Sequence, residues 1–107
     1  MARNVKSYGL EHDSTILDDR LRMKSARVQA ESQEVNLNNV VSDEVLVDPD
    51  TVEEYAKSRR WESKPIRVVT VLGAPPVIVD GAHRASAALS RGETRVRASV
   101  VDLGIGF

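Results

Sequence analysis

A small α/β domain of the α+β kind, built on a mixed sheet, is the fold class that three features of this 107-residue sequence predict. The first is the β-branched run Ile66 to Leu72 (IRVVTVL), whose residue types suit a central, pleated strand. The second is a succession of strand, helix and strand between Val77 and Val101, a tight βαβ unit closed by glycines. The third is size: a chain of this length builds one core, burying roughly two thirds of the surface its unfolded form exposes.

Along the chain, residues 1–12 mix Asn, Lys, Ser, Gly, Glu and His without periodicity and read as a mobile or loosely docked arm. A helix is expected over Ser14 to Ala30, with Leu17, Leu21 and Val28 on one face, Asp13 or Ser14 as cap, and Asp18 four residues before Arg22. Its Arg20, Arg22, Lys24 and Arg27 are the densest positive cluster in the sequence. Such a cluster is either a solvated helix face or a contact for phosphate or an acidic partner. The division expected is an N-terminal arm and helix, 1–34, followed by the main domain, 35–107.

Glu34 to Val41 (EVNLNNVV) alternates Val35, Leu37 and Asn39 against polar neighbours, as a half-buried strand does. Asp48-Pro49 then starts a helix: Asp48 caps it, Pro49 takes the first position, where a missing N–H costs nothing, and Glu53 and Glu54 follow. It should run to about Arg60 with Val52, Tyr55 and Ala56 inward, and Trp61 is expected as a plug under the next turn. After the strand at Ile66, Gly73-Ala74-Pro75-Pro76 turns the chain into a strand, Val77 to Val79. His83 to Arg91 reads as an alanine-rich helix closed by Gly92, and Arg95 to Val101 as a strand with Val96, Ala98 and Val100 on one face. The expected core is Val68, Val71, Val77, Val79, Leu89, Val96, Ala98 and Val100.

Composition narrows the chemistry. The absence of cysteine removes disulfides, thiolate metal sites and cysteine nucleophiles, and favours a reducing, cytoplasmic setting. A net charge of -1 argues against binding nucleic acid by bulk charge. No apolar stretch approaches the roughly 20 residues that span a bilayer, so no membrane partner is expected, and Met1 to Leu10 lacks the apolar core of a signal peptide. No His, Asp and Glu have metal-ligand spacing, so any magnesium would arrive with phosphates.

The segment Asp80-Gly81-Ala82-His83-Arg84 ends a strand, crosses a glycine and enters a helix. The first N–H groups of a helix have no intrahelical partners and lie at the positive end of its dipole, which suits an anion. Gly81 lets backbone come close, Arg84 can grip phosphate oxygens, and His83 adds a donor of tunable charge. The alternative on the same residues is structural: Asp80 caps the helix, Gly81 makes the turn, and Arg84 pairs with Asp80 or Asp102.

That corner, followed by Ala85, Ala87, Ala88, Gly92, Val96 and Val100, resembles the signature of the ParB/sulfiredoxin superfamily. Upstream, Asp48-Pro49, Val52, Ser58, Lys64-Pro65-Ile66 and Val68 fit the order of helix and strand in the same families, so the similarity spans about residues 35–102. The resemblance implies a site for nucleotide phosphates, ATP or CTP with or without Mg2+, at Gly81, Ala82, His83 and Arg84, with Ser58 and Lys64 contributing from the preceding segments. Two departures stand out. Ala82 takes the place of the catalytic cysteine of sulfiredoxins, which excludes reduction of a sulfinic acid, and Thr51 stands where they use a lysine. The helix-turn-helix and dimerisation segment of a ParB clamp do not follow Val101 in this sequence.

Three functions of different classes remain open on the sequence. One is a nucleotide-binding domain, an NTP hydrolase or phosphotransferase if it turns over, with Asp80, His83 and Arg84 as catalytic candidates. Another is a DNA-associated or nuclease-like module using Arg84, Arg59, Arg60 and the Arg20 to Arg27 cluster on phosphodiesters. A third is a regulatory partner, or a homodimer, that keeps the fold without turnover.

Overall fold

Two apolar clusters, one on each face of a six-stranded sheet, organise the computed structural model, which describes residues 1–58 and 64–104. The strands are β1 (Arg3–Asn4), β2 (Glu11–His12), β3 (Glu31–Asn36), β4 (Val41–Ser42), β5 (Leu46–Val47), β6 (Ile66–Thr70), β7 (Val77–Asp80) and β8 (Arg95–Asp102). The helices are α1 (Asp19–Ser25), α2 (Pro49–Lys57) and α3 (Ala82–Ser90). The main sheet has the order β2-β4-β7-β6-β8-β3, and β1 pairs with β5 in a separate ribbon. It is a mixed sheet: β2 with β4, β4 with β7 and β6 with β8 are parallel, whereas β6 with β7 and β3 with β8 are antiparallel. The fold is α+β.

Alternation along the strands sends side chains to the two faces. Ile66 and Val68 of β6, Ile78 of β7, and Ala98 and Val100 of β8 meet α2 and α3 on one side. Val69, Val77 and Val101 meet Leu17 and Leu21 on the α1 side. Val68, Val69, Ala98 and Val101 are fully buried. Of the expected core, Val79, Leu89 and Val96 are only half-buried, because they pack at the margins of the two clusters. Leu72 lies beyond the end of β6 and is 73% exposed.

The expected succession of strand, helix and strand runs through β7, α3 and β8, and β6 lies between its two strands. α2 begins as expected, with Asp48 accepting from the Asp50 amide at 3.1 Å and the Thr51 hydroxyl at 3.0 Å, and it ends at Lys57. Arg59, Arg60 and Trp61 lie outside the described residues.

Residues 1–12 are not a mobile arm. Val5 and Leu10 are fully buried in the cluster beneath α3, the Val5 amide donates to the Val45 carbonyl, and β2 adds an edge strand to the main sheet. Two short strands joined by a 3-10 turn never repeat one period, so their apolar anchors have no pattern to betray them. The helix expected over 14–30 shrinks to α1. Asp18 caps it through the Leu21 amide, Arg22 pairs with Asp43 at 2.6 Å rather than with Asp18, and Asp13 closes a turn on Thr15. Val28 and Ala30 still pack beside Leu21, from non-helical backbone.

The strand expected at 34–41 is also redrawn: β3 occupies 31–36, and Asn36 caps a 3-10 turn, Leu37–Asn39, by accepting from the Asn38 amide. Six register pairs with β8 extend the strand backwards through Glu31, which no hydrophobic alternation announces. The 34/35 boundary therefore falls inside β3, and residues from both sides of it share each apolar cluster. Among the described residues, no helix is long and apolar enough to cross a membrane.

Candidate functional site

Strand β7 ends at Asp80, Gly81 turns the backbone with φ +115°, and α3 starts at Ala82. Glycine is required here twice over. The positive φ disfavours any L side chain, and a Cβ would stand 2.5 Å from Ile66 Cγ2 and 2.8 Å from Ile66 Cβ. The close approach seats the start of α3 directly on β6. Ala82 is buried with its methyl in the cluster beneath α3, so what it offers outward is backbone.

The three helices begin differently. Asp18 caps α1 and Asp48 caps α2, whereas no side chain hydrogen-bonds to the first turn of α3. The Ala85 amide donates back to the Gly81 carbonyl at 2.8 Å, which starts the regular helical pattern.

Arg84 is anchored. Its Nη1 donates to the carbonyls of Lys64 at 2.9 Å and Pro65 at 3.2 Å, its Nη2 to Asp80 at 3.2 Å, and its side chain is 13% exposed. A guanidinium has five N–H groups, so two remain uncommitted in this arrangement. Asp80 does not cap α3; its carboxylate is 74% exposed and holds Arg84 in place. His83 accepts at Nε2 from the Asp48 amide at 3.1 Å, which sets the tautomer with the proton on Nδ1 and ties the start of α2 to the start of α3.

Of the residues singled out in the sequence, Asp80, Gly81, Ala82, His83 and Arg84 share one corner, and Lys64 joins them through its carbonyl while its side chain is exposed. Ser58 caps the far end of α2, its amide donating to Glu54, roughly 13 Å along the axis from the end that meets His83. Thr51 is spent on the Asp48 cap, which with the Asp50 amide holds that carboxyl below the usual range. Among the described residues, no group of His, Asp and Glu could hold a metal ion.

A second concavity escaped sequence reasoning. An open cleft of about 480 Å³ lies between α2 and the N-terminal segment, with Arg3, Tyr8, Asp50, Glu53 and Ser90 in its wall. The Arg3 guanidinium sits 5.6 Å from the centre of the Tyr8 ring. It could not be read from sequence because Arg3 and Tyr8, which close one side of it, belong to the segment without periodicity.

No protein-family model matches the chain, and no curated protein does. Among solved structures it is similar to a conserved hypothetical protein from Pyrococcus furiosus, with 22% identity and a TM-score of 0.59, over 69% of this chain and 33% of that one. The likeness is one of fold, and this chain spans about a third of the length of that neighbour.

Proposed function

We propose that the corner from Asp80 to Arg84 binds the phosphates of a nucleotide, ATP or CTP, and that the chain is a ParB/sulfiredoxin-like nucleotide-binding domain of the cytoplasm. The observation that carries this reading is the start of α3, the one described helix of seven or more residues with no side-chain cap, set at the end of a strand behind a left-handed glycine. Its first amides supply the hydrogen bonds an anion needs. Arg84 adds a charge already fixed in position, so little side-chain freedom is lost on binding. His83 keeps Nδ1–H as a donor. A phosphate would compete with Asp80 for Arg84, and a magnesium ion entering with the nucleotide would offset the Asp80 charge.

A thermal-shift titration of the protein with ATP, CTP, GTP and ADP, with and without magnesium, tests the reading. Stabilisation that survives in Asp80→Asn and is lost in Arg84→Ala is expected, with affinity falling roughly ten- to a hundredfold. A melting temperature unmoved by every nucleotide at millimolar concentration would remove it. The anchored Arg84 favours one competing reading, a regulatory domain in which the corner is a structural joint, and that reading predicts no shift with any nucleotide.

A further inference from the structure

The two edges of the main sheet are finished differently. At one edge β2 is two residues long, too short to template another strand. At the other, β3 runs for six residues, pairs with β8 over all of them without a bulge, and exposes its first four. Among the described residues no strand pairs with its outer side. Sheets ordinarily blunt so long an edge with a proline, a lysine or a bulge, and β3 has none of these. Its charges are Glu31, at the end, and Glu34, which pairs with Arg95 at 3.4 Å. An edge of this length left open calls for a strand to fill it.

What the edge presents follows from its ladder with β8. The Leu37 amide donates to the Thr94 carbonyl at 2.7 Å, one step past the register pair of Asn36 with Arg95. Hydrogen-bonded pairs alternate along an antiparallel ladder, so Val35, Gln33 and Glu31 turn their N–H and C=O groups toward β8, whereas Ser32 and Glu34 turn theirs outward. Side chains alternate as well. Val35 packs in the cluster beneath α3, which places Gln33 and Glu31 on the helix side of the sheet and Ser32 and Glu34 on the α1 side.

We propose that β3 pairs antiparallel with β3 of a second copy of this chain, joining the two main sheets edge to edge about a twofold axis through Gln33. A twofold axis normal to the sheet keeps like faces together, so facing residues must belong to one face, and only an axis through a residue satisfies this. Through Gln33, Ser32 of each copy faces Glu34 of the other, and their outward groups exchange about four hydrogen bonds. Each carboxylate then stands opposite a hydroxyl. An axis through Glu34 would oppose two carboxylates, and one through Ser32 would draw in Ala30, which lies outside β3. An identical strand is thus a partner whose register β3 fixes by itself, because it sets both outward residues of one copy against both of the other and no carboxylate against another. β6 and β8 stand between β3 and β7, so the corner at Arg84 stays open in the pair.

The absence of cysteine makes single substitutions clean probes of this pairing. The two Gln33 positions would form a non-hydrogen-bonded pair with Cα atoms about 4.5 Å apart, within the span of a disulfide. Under mild oxidation Gln33→Cys should cross-link into a covalent dimer roughly tenfold or more faster than Met23→Cys, an exposed position on α1. Sedimentation equilibrium of the chain should show its mass doubling between about 10 µM and about 1 mM, the weak range suited to so short a ladder. Ser32→Pro removes an outward N–H and no bond to β8, so it should weaken the dimer roughly tenfold with an unchanged far-ultraviolet spectrum. Ser32→Glu should weaken the dimer and Ser32→Lys strengthen it, each several-fold. The proposal is overturned if the chain is monomeric at about 1 mM, the result expected if the edge serves a different strand. It is equally overturned if Met23→Cys cross-links as fast as Gln33→Cys, if a folded Ser32→Pro dimerises like the wild type, or if the two charged variants shift the equilibrium in the same direction. Should Ser32→Pro fail to fold, the cysteine and charge variants decide.

Discussion

Helices α2 and α3 start side by side, joined by the Asp48 amide and His83 Nε2, yet their first turns are satisfied in opposite ways. α2 closes on itself: Asp48 accepts from its own first turn, and Pro49 has no N–H to satisfy. α3 has only Gly81 before it, and its neighbouring charged groups, Asp80 and Arg84, hold each other and the backbone at 64–65 instead of the helix end. Equivalent backbone geometry can thus be finished internally or left open. What decides is one residue type at the cap, aspartate in one helix and glycine in the other.

The largest test of this contrast is Gly81→Ala. A left-handed residue with a Cβ is strained by about 1–2 kcal/mol, and crowding against Ile66 adds overpacking of about 1–3, so a loss of roughly 2–5 kcal/mol is expected in urea unfolding. Gly92, at φ +80° with nothing within 4 Å of its Cβ position, is the control, and Gly92→Ala should show the strain alone. Equal losses at the two positions would mean that the contact with Ile66 is not what demands glycine at the corner.

Arg84→Ala should come next, at about 1.5–3 kcal/mol, because a nearly buried guanidinium leaves two carbonyls and Asp80 without partners. Arg84→Lys cannot reproduce the fork and should recover only part of this. His83→Ala removes the acceptor that joins the two helix starts, for a loss of about 0.5–1.5 kcal/mol. In amide hydrogen exchange, Asp48 should lose protection in that variant while the middle of β8 does not. Uniform loss across the protein would show that the joint is not local.

Asp48→Asn should have the smallest effect at neutral pH, since Asn caps a helix as well as Asp does. Its signature is in acid. The Thr51 hydroxyl and the Asp50 amide favour the Asp48 carboxylate and lower its folded-state pKa. A group lowered in this way adds stability that is complete above its unfolded pKa and is lost as pH falls through the folded value, so the contribution fades below about pH 4. The variant should be less acid-sensitive than the wild type, and α3, which has no such carboxylate at its cap, should contribute nothing of this kind. Parallel pH profiles for the two proteins would contradict the account of the cap.

Sequence determined what local chemistry determines. Asp48-Pro49 announced the start of α2 to the residue, the β-branched run announced β6, and Gly81 and Gly92 bracketed α3, because caps, prolines and glycines act within a few residues of themselves. The corner was legible for the same reason, since Asp80 to Arg84 are contiguous. Tertiary structure decided the rest. Val5 and Leu10 became core only because β5 and α3 were there to cover them, and β3 began at Glu31 because β8 offered it partners. Ser58 and Thr51 received their positions from the run of α2 and not from any spacing in the chain. Arg67 reaches the Ser25 carbonyl across 42 positions, and contacts that span the chain depend on strand order, which no local pattern encodes.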